Sequence, residues 1–282
     1  MTVAMEKEEM KPLVRSDLAR VSGAEVRLAI RERRWTGTTT RLALGREQAN
    51  LVILPERYAF DFMRFCLRNP KPLPLMEVTD PGDPEPRQTA PGADIRTDVT
   101  AYHLYRDGEL VDEVSDLREL WRRDHVAFLT GCNLSLDQVM LEANIPLPHL
   151  MREDAWTSQY ISNIACVPAG IFAGPQVASM RPLPKSKVIK FIEISSRYPR
   201  NHGAPIHVGD PAAIGIDDLD SFKWGKRNVI GHDEVPVFCA CGVTAHAVAL
   251  AARIPEMITH KPGHMFVTDL PILDPTATTI SV

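Results

Sequence analysis

The sequence predicts an α/β fold, a larger α/β domain with a smaller α+β unit inserted in it. Two observations predict this. Apolar runs of strand length alternate with stretches of helical length, and Gly, Pro, Asn and Asp punctuate them. Between Asn163 and Asp210 the texture changes, with two strand-like runs, one helical run and a further short strand close together.

The elements follow in order. The charged first eleven residues read as a frayed end. Ser16 is placed to cap a short helix, and GAEVRLAIRERR (23–34) carries Val26, Ala29 and Ile30 at helical spacing. QANLVILP (48–55) is a buried strand closed by proline. ERYAFDFMRFCLRNP (56–70) puts Phe60, Met63 and Leu67 on one helical face, and Pro70 stops it. PLMEVTD (74–80) completes a strand–helix–strand unit. The proline-rich segment 80–98 is long enough for a functional loop. AYHLYRDGELVDEV (101–114) is a hairpin turning at Asp107-Gly108. A short helix (116–122), a buried strand (125–131) and a helix capped by Ser135 (135–145) follow. The α+β unit holds NIACV, QVASMRPL, the helix KSKVIKFIEISSRY and the strand APIHVGD. The chain is expected to re-enter the main sheet at 234–253 as strand, tight turn and helix, and 258–269 supplies the last strand. The boundaries are 12–123 with 213–282 for the main domain and 124–212 for the insertion.

Composition narrows the function classes. Of 282 residues, 44% are hydrophobic and 24% charged, an ordinary globular balance. The net charge of −4 carries no nucleic-acid or membrane-surface footprint. No apolar run reaches the ~18 residues of a membrane helix, and the N-terminus has no signal-peptide core, so a cytoplasmic protein is expected. The five cysteines read as reduced thiols. The 23 prolines, about 8% against about 5% in average usage, mark many short ordered loops.

Several stretches carry candidate chemistry. In FCACGVTAHAVALAA, the strand Val237 to Ala240 runs into Gly242, and Thr244 opens a helix. A helix start offers free N–H groups to a carboxylate or phosphate; plain capping by Thr244 is the alternative. ITHKPGHMFVTD (258–269) sets His260 and His264 on either side of a Pro-Gly turn. That turn forbids the helical presentation that joins two imidazoles on one metal, and no partner ligand stands at zinc spacing, so no metal is expected. Acid/base work or substrate contact competes with a hydrogen-bonded loop, and Asp269 is placed to orient a histidine. Position favours chemistry: as parallel neighbours, the Val237–Ala240 strand and the His260 strand would end at one crevice.

SSRYPRNHGAPIHVGD (195–210) adds Arg197, suited to clamping a carboxylate, with His202, His207 and Asp210; packing and turn capping are the alternative. Arg181 reads as a solvated side chain. Glu77 inside an apolar strand is either paired or functional, and Asn50 lies in the 48–55 strand. Cys132 reads as an inert buried thiol, and Cys239-x-Cys241 lacks the second pair of a zinc site. No G-x-G-x-x-G, P-loop or G-x-S-x-G stands in the chain, so nucleotide and serine-hydrolase chemistry have no motif.

QANLVILP, NPKPLPLMEVTDPGDPEPRQTAPGADIRTD, YRDGELVDE, HGAPIHVGDPAAIGI, VPVFCACGVT and ITHKPGHMFVTDL together resemble the D-glutamate cyclase family, from about Thr36 to Leu270. The resemblance implies an α/β sandwich with a smaller α+β domain and a hydro-lyase activity, D-glutamate to 5-oxo-D-proline being the family reaction. One departure stands at SNIACVPAG, where Val167 takes the place of an arginine. The expected site is then His260, His264 and Asp269 for catalysis, with Gly242, Thr244, Arg197, His202, His207, Asp210, Asn50 and Glu77 for substrate. Free N–H groups at 243–245 would stabilise the oxyanion. No cofactor is expected. The expected partner is a small-molecule carboxylate, with no nucleic acid and no membrane, and a homo-oligomer stays open. A non-catalytic carboxylate-binding or regulatory protein on the same fold is the alternative.

Overall fold

The structure is a computed structural model that describes residues 13–151 and 157–273. The segment 1–11, expected to fray, lies outside them. Chain order is α1 (Arg15–Leu18), α2 (Gly23–Arg31), β1 (Arg46–Pro55), α3 (Glu56–Arg68), β2 (Leu75–Val78), β3 (Tyr102–Arg106), β4 (Glu109–Val114) and β5 (His125–Gly131). Then come α4 (Asp137–Glu142), β6 (Ser158–Ala165), β7 (Pro175–Pro184), α5 (Val188–Ser196), β8 (His207–Val208), β9 (Glu234–Ala240), α6 (Thr244–Ala252), β10 (Met257–His260) and β11 (Phe266–Pro271). They form an α/β fold with two sheets. The first runs β2-β5-β1-β10-β3-β4, with β11 also on β1; the second runs β6-β7-β9-β8.

Every named strand pair is antiparallel, which corrects the parallel arrangement expected for the last two strands. β1 and β2 do share a direction across α3, but β5 lies between them and bonds to both. β9 and β10 sit in different sheets, joined by α6. The reason is visible in α6: Thr244 through Ala249 are all buried, and a helix apolar all round needs a packed layer on each side. Its Ala245, Val248 and Ala249 pack with Phe62, Phe65 and Phe172, while Val243 and Ala247 pack with Val177 and Cys241 of the second sheet's side. Sheet membership therefore cuts across the 124–212 boundaries, with β5 in the first sheet and β9 in the second.

Local chemistry explains most elements and, besides Ser16, which lies inside α1 with Val14 at the N-cap position, three corrections. Asp107 (φ 50°) and Gly108 (φ 84°) are both left-handed, as a two-residue hairpin turn requires. Ser22 accepts from the Glu25 N–H and Glu25 reaches back to the Ser22 N–H, a capping box that starts α2. The first correction is α3, whose expected face turns outward: Phe60 and Leu67 are exposed, and Phe62, Phe65 and Cys66 are buried instead. Phe62 meets Phe128 edge-on at 4.9 Å, and a fully buried Phe is worth roughly 1.5–3 kcal/mol. The second is residues 116–122, which form turns because Asp116 accepts from the Arg118 N–H and pairs with its guanidinium. The third is Ser135, which accepts from the Gln48 N–H across the sheet and caps no helix.

Candidate functional site

A cleft of about 290 Å³ lies against the second sheet, where polar side chains meet the apolar Leu136, Met140 and Phe191. Arg181 of β7 and Cys239 of β9 form its floor. Asn133 and Asp137 line one wall, and Asn201 and Gly203 another. The cleft is narrow, with room at its heart for a group about the size of a water molecule. Arg181 is 2% exposed, and its guanidinium donates to Asn133 Oδ1 (3.0 Å) and Ser179 Oγ (3.3 Å), both neutral. Asp137 is occupied by His149 at 3.2 Å. Glu47, behind the wall, accepts from Asn201 Nδ2 at 2.6 Å, and burial pushes its carboxyl up toward the neutral form.

His202 sits between the two wall residues Asn201 and Gly203. Its backbone is left-handed (φ 72°), a conformation that a residue with a Cβ adopts at a cost. Lys71 Nζ holds the loop by donating to the carbonyls of His202 (3.2 Å) and Ala204 (2.5 Å). His202 Nδ1 lies 2.7 Å from the Lys71 carbonyl, which only accepts, so Nδ1 carries the proton and Nε2 keeps its lone pair. That Nε2 is buried and unpartnered, as is Asn201 Oδ1. Burial draws the His202 pKa down to about 4, with the Lys71 and Arg181 charges adding to it.

A second polar cluster lies between α6 and the first sheet. His246 of α6 stands 5.4 Å from His260 of β10 and 6.2 Å from His103 of β3, ring centre to ring centre. Leu51 donates its N–H to His260 Nδ1 at 3.1 Å. Thr100 Oγ1 lies 2.6 Å from His264 Nδ1. His103 Nδ1 and His260 Nε2 are buried without partners, and the buried His246 ring reaches only the His260 backbone. Burial lowers His260 to about 3 and His264 to about 4, and draws His246 and His103 down as well. Among the described residues no group of His, Cys, Asp or Glu is arranged to hold a metal ion.

The residues expected from sequence are thus divided. His260 and His264 join the buried cluster. Asp269 orients neither histidine: it takes a bidentate bond from Arg27, at 2.8 and 3.1 Å, because the strand turns its side chain toward α2. Gly242 is required by Asn50, whose amide would lie 2.0 Å from an added Cβ. Asn50 Nδ2 donates to the Gly131 carbonyl at 2.6 Å. Thr244 Oγ1 donates to the Cys241 carbonyl and accepts from the Val177 N–H, tying α6 to β7. The N–H groups of Thr244 and Ala245 are taken by the Cys241 and Gly242 carbonyls, so they form no oxyanion hole. Glu77 clamps the proline-rich loop, accepting from the Gln88 and Thr89 N–H groups and the Thr89 hydroxyl. Arg197 is paired with Glu193 at 3.0 Å on an exposed helix turn. His207 and Asp210 meet each other on the outer strand β8, His207 Nε2 lying 2.6 Å from the Asp210 carbonyl. Val167, where the arginine was expected, is 54% exposed. Of the expected set, His202 alone belongs to the loop that borders the cleft, between the lining residues Asn201 and Gly203. Sequence reading missed Arg181, Asn133, Asn201, His103 and His246.

Fold and cleft together define an α/β protein with two antiparallel sheets and a narrow, arginine-floored cleft on the second. The chain belongs to the D-glutamate cyclase family, whose model matches residues 126–269. It is 52% identical to a protein of Rubrobacter xylanophilus over 87% of this chain and 95% of that one. It is 51% identical to proteins of Thermoanaerobacter sp. (88% and 93%) and Stutzerimonas stutzeri (89% and 94%). Each of the three bears the name "Putative hydro-lyase".

Proposed function

We propose that the protein is a hydro-lyase that reversibly removes water from a small amino or hydroxy acid, with D-glutamate to 5-oxo-D-proline as the reaction. The observation that carries this reading is His202, an imidazole held in a fixed tautomer with an unpartnered, buried Nε2, in the loop between the cleft-lining Asn201 and Gly203. Loss of water needs a group that takes a proton and returns one to the departing hydroxyl, and a neutral histidine serves both steps. Burial keeps the imidazole neutral, ready to accept a proton. Ring closure of D-glutamate joins the amine nitrogen to the carbon of the γ-carboxyl group and breaks one of that carbon's C–O bonds; ammonium and γ-carboxylate become a lactam and one water.

Incubating the pure protein with D-glutamate and a panel of small amino and hydroxy acids, followed by mass spectrometry for loss of one water, tests this. Product from at least one acid is expected. Unchanged substrate across the panel, with the reverse reaction on 5-oxo-D-proline equally silent, would leave the non-catalytic carboxylate-binding alternative.

A further inference from the structure

We infer that Arg181 is the anchor of the cleft and that it binds the one carboxylate that survives the reaction, the α-carboxylate. The inference rests on the cleft being the site of water loss. Isolated guanidinium charge is costly to bury, and buried arginines are ordinarily paired. Arg181 is 2% exposed, yet among the described residues no carboxylate lies within ion-pair distance of it. Its partners are one amide oxygen, one hydroxyl oxygen and the Cys239 thiol, none of them a carboxylate. The two nearby carboxyls are engaged elsewhere: Asp137 with His149, and Glu47 with Asn201 while burial draws it toward neutrality. A guanidinium fork with donors to spare, at the floor of a cleft, is built for a planar anion.

The choice of carboxylate follows from the chemistry. In the forward direction the γ-carboxylate is consumed in the lactam, whereas the α-carboxylate stands unchanged in substrate and product. A reversible enzyme must bind both. An anchor on the γ-carboxylate would lose its counter-charge as the bond forms and leave the buried guanidinium alone again. An anchor on the α-carboxylate keeps the pair through the whole reaction.

Binding is measured by calorimetry or ligand-observed NMR, without turnover, on wild type, Arg181→Gln and Arg181→Lys. The probes are 5-oxo-D-proline, its amide, D-glutamine, D-isoglutamine and inorganic phosphate. D-glutamine and 5-oxo-D-proline keep the α-carboxylate and should bind wild type. D-isoglutamine and the amide lack it and should bind at least about tenfold more weakly. Arg181→Gln should lose both acids by a similar factor. Arg181→Lys, which keeps the charge without the fork, should fall between and shows that loss of binding is not loss of fold. Equal binding by Arg181→Gln, equal binding of the α-amides, preference for D-isoglutamine over D-glutamine, tighter binding of phosphate, or no binding of either acid by wild type overturns the inference. Failure of the hydro-lyase reading shows separately, as absence of water loss in a wild type that still binds these acids.

Discussion

The cleft and the histidine cluster both gather buried polar groups, and they differ in what surrounds them. Asn201 and Arg181 line free space at the cleft, with Asn201 Oδ1 unpartnered and the guanidinium without a carboxylate, and His202 with its unpartnered Nε2 stands next to them in the loop. In the cluster, His103, His246 and His260 are pressed against one another, and Tyr105 and Trp224 rings lie within 6.1 and 6.3 Å of His246. The difference teaches that an unsatisfied imidazole is not by itself a site. It becomes one where a ligand can reach it and where a neighbouring charge gives the ligand a reason to stay.

The largest expected effect separates the two regions directly. His202→Ala should lower turnover by ~10²–10⁴-fold, the usual contribution of a general acid/base, while His260→Ala and His264→Ala stay within about tenfold of wild type. Steady-state rates on the best acid of the panel decide it. A hundredfold loss in His260→Ala or His264→Ala with an intact His202→Ala would return the chemistry to the cluster.

Next comes the Arg27–Asp269 pair, which lies apart from both. Asp269→Asn should cost about 1–3 kcal/mol of stability, discounted for the partial exposure of Asp269, because Arg27 is left buried and half-paired. Turnover should be unchanged. Urea unfolding beside a rate assay checks both, and a rate loss without a stability loss would make Asp269 a functional residue after all.

The cluster itself makes a smaller, opposite prediction. His246→Leu removes a buried imidazole whose ring reaches no polar group but the His260 backbone, and should raise stability by about 1 kcal/mol. A fall of similar size would mean that water or a ligand satisfies the imidazole in solution.

A last effect is in pH, and it is spread over several pH units. His202, His260 and His264 titrate in the folded protein at about 4, 3 and 4, below the ordinary value of about 6.5. The unfolded chain therefore binds more protons between those limits. Their stabilising contribution is complete above about pH 6.5 and is lost as pH falls toward 4 and then 3. Each contributes a slope of up to about 1.4 kcal/mol per pH unit in that window. His264→Gln should flatten the slope of unfolding free energy against pH by one such contribution. An unchanged slope would mean that His264 titrates alike folded and unfolded.

The sequence was informative about elements and about single-residue chemistry, and less so about who meets whom. Strands 125–131 and the Asp107-Gly108 hairpin were legible because strand length and left-handed turn residues are local signals. The antiparallel pairing was not, because strand–helix–strand order looks the same whether or not a third strand fills the gap. At α3 two apolar stripes competed, and packing against Phe128 and Phe172 chose the one with Phe62 and Phe65. For the site, Asp269 and Thr244 misled because a polar side chain near a turn reads alike whether its partner is a substrate or Arg27. Arg181 was legible in principle: it interrupts the apolar run QVASMRPL as Glu77 interrupts its own strand, and the same question applied to both.

The placing of β1 has a consequence for how the chain is made. β1 is the central strand of the first sheet, yet Leu51 meets His260 across 209 residues, and Gln48 pairs with Val267. During synthesis at about 5–20 residues per second, β1 waits on the order of 10–40 s after leaving the ribosome before its β10 and β11 partners emerge. Its apolar edge is open for that interval, and pairing so distant along the chain is slow to form in any case. The nascent chain should therefore be a holdase client until residues 257–271 have emerged, and fragments that stop short of them should aggregate.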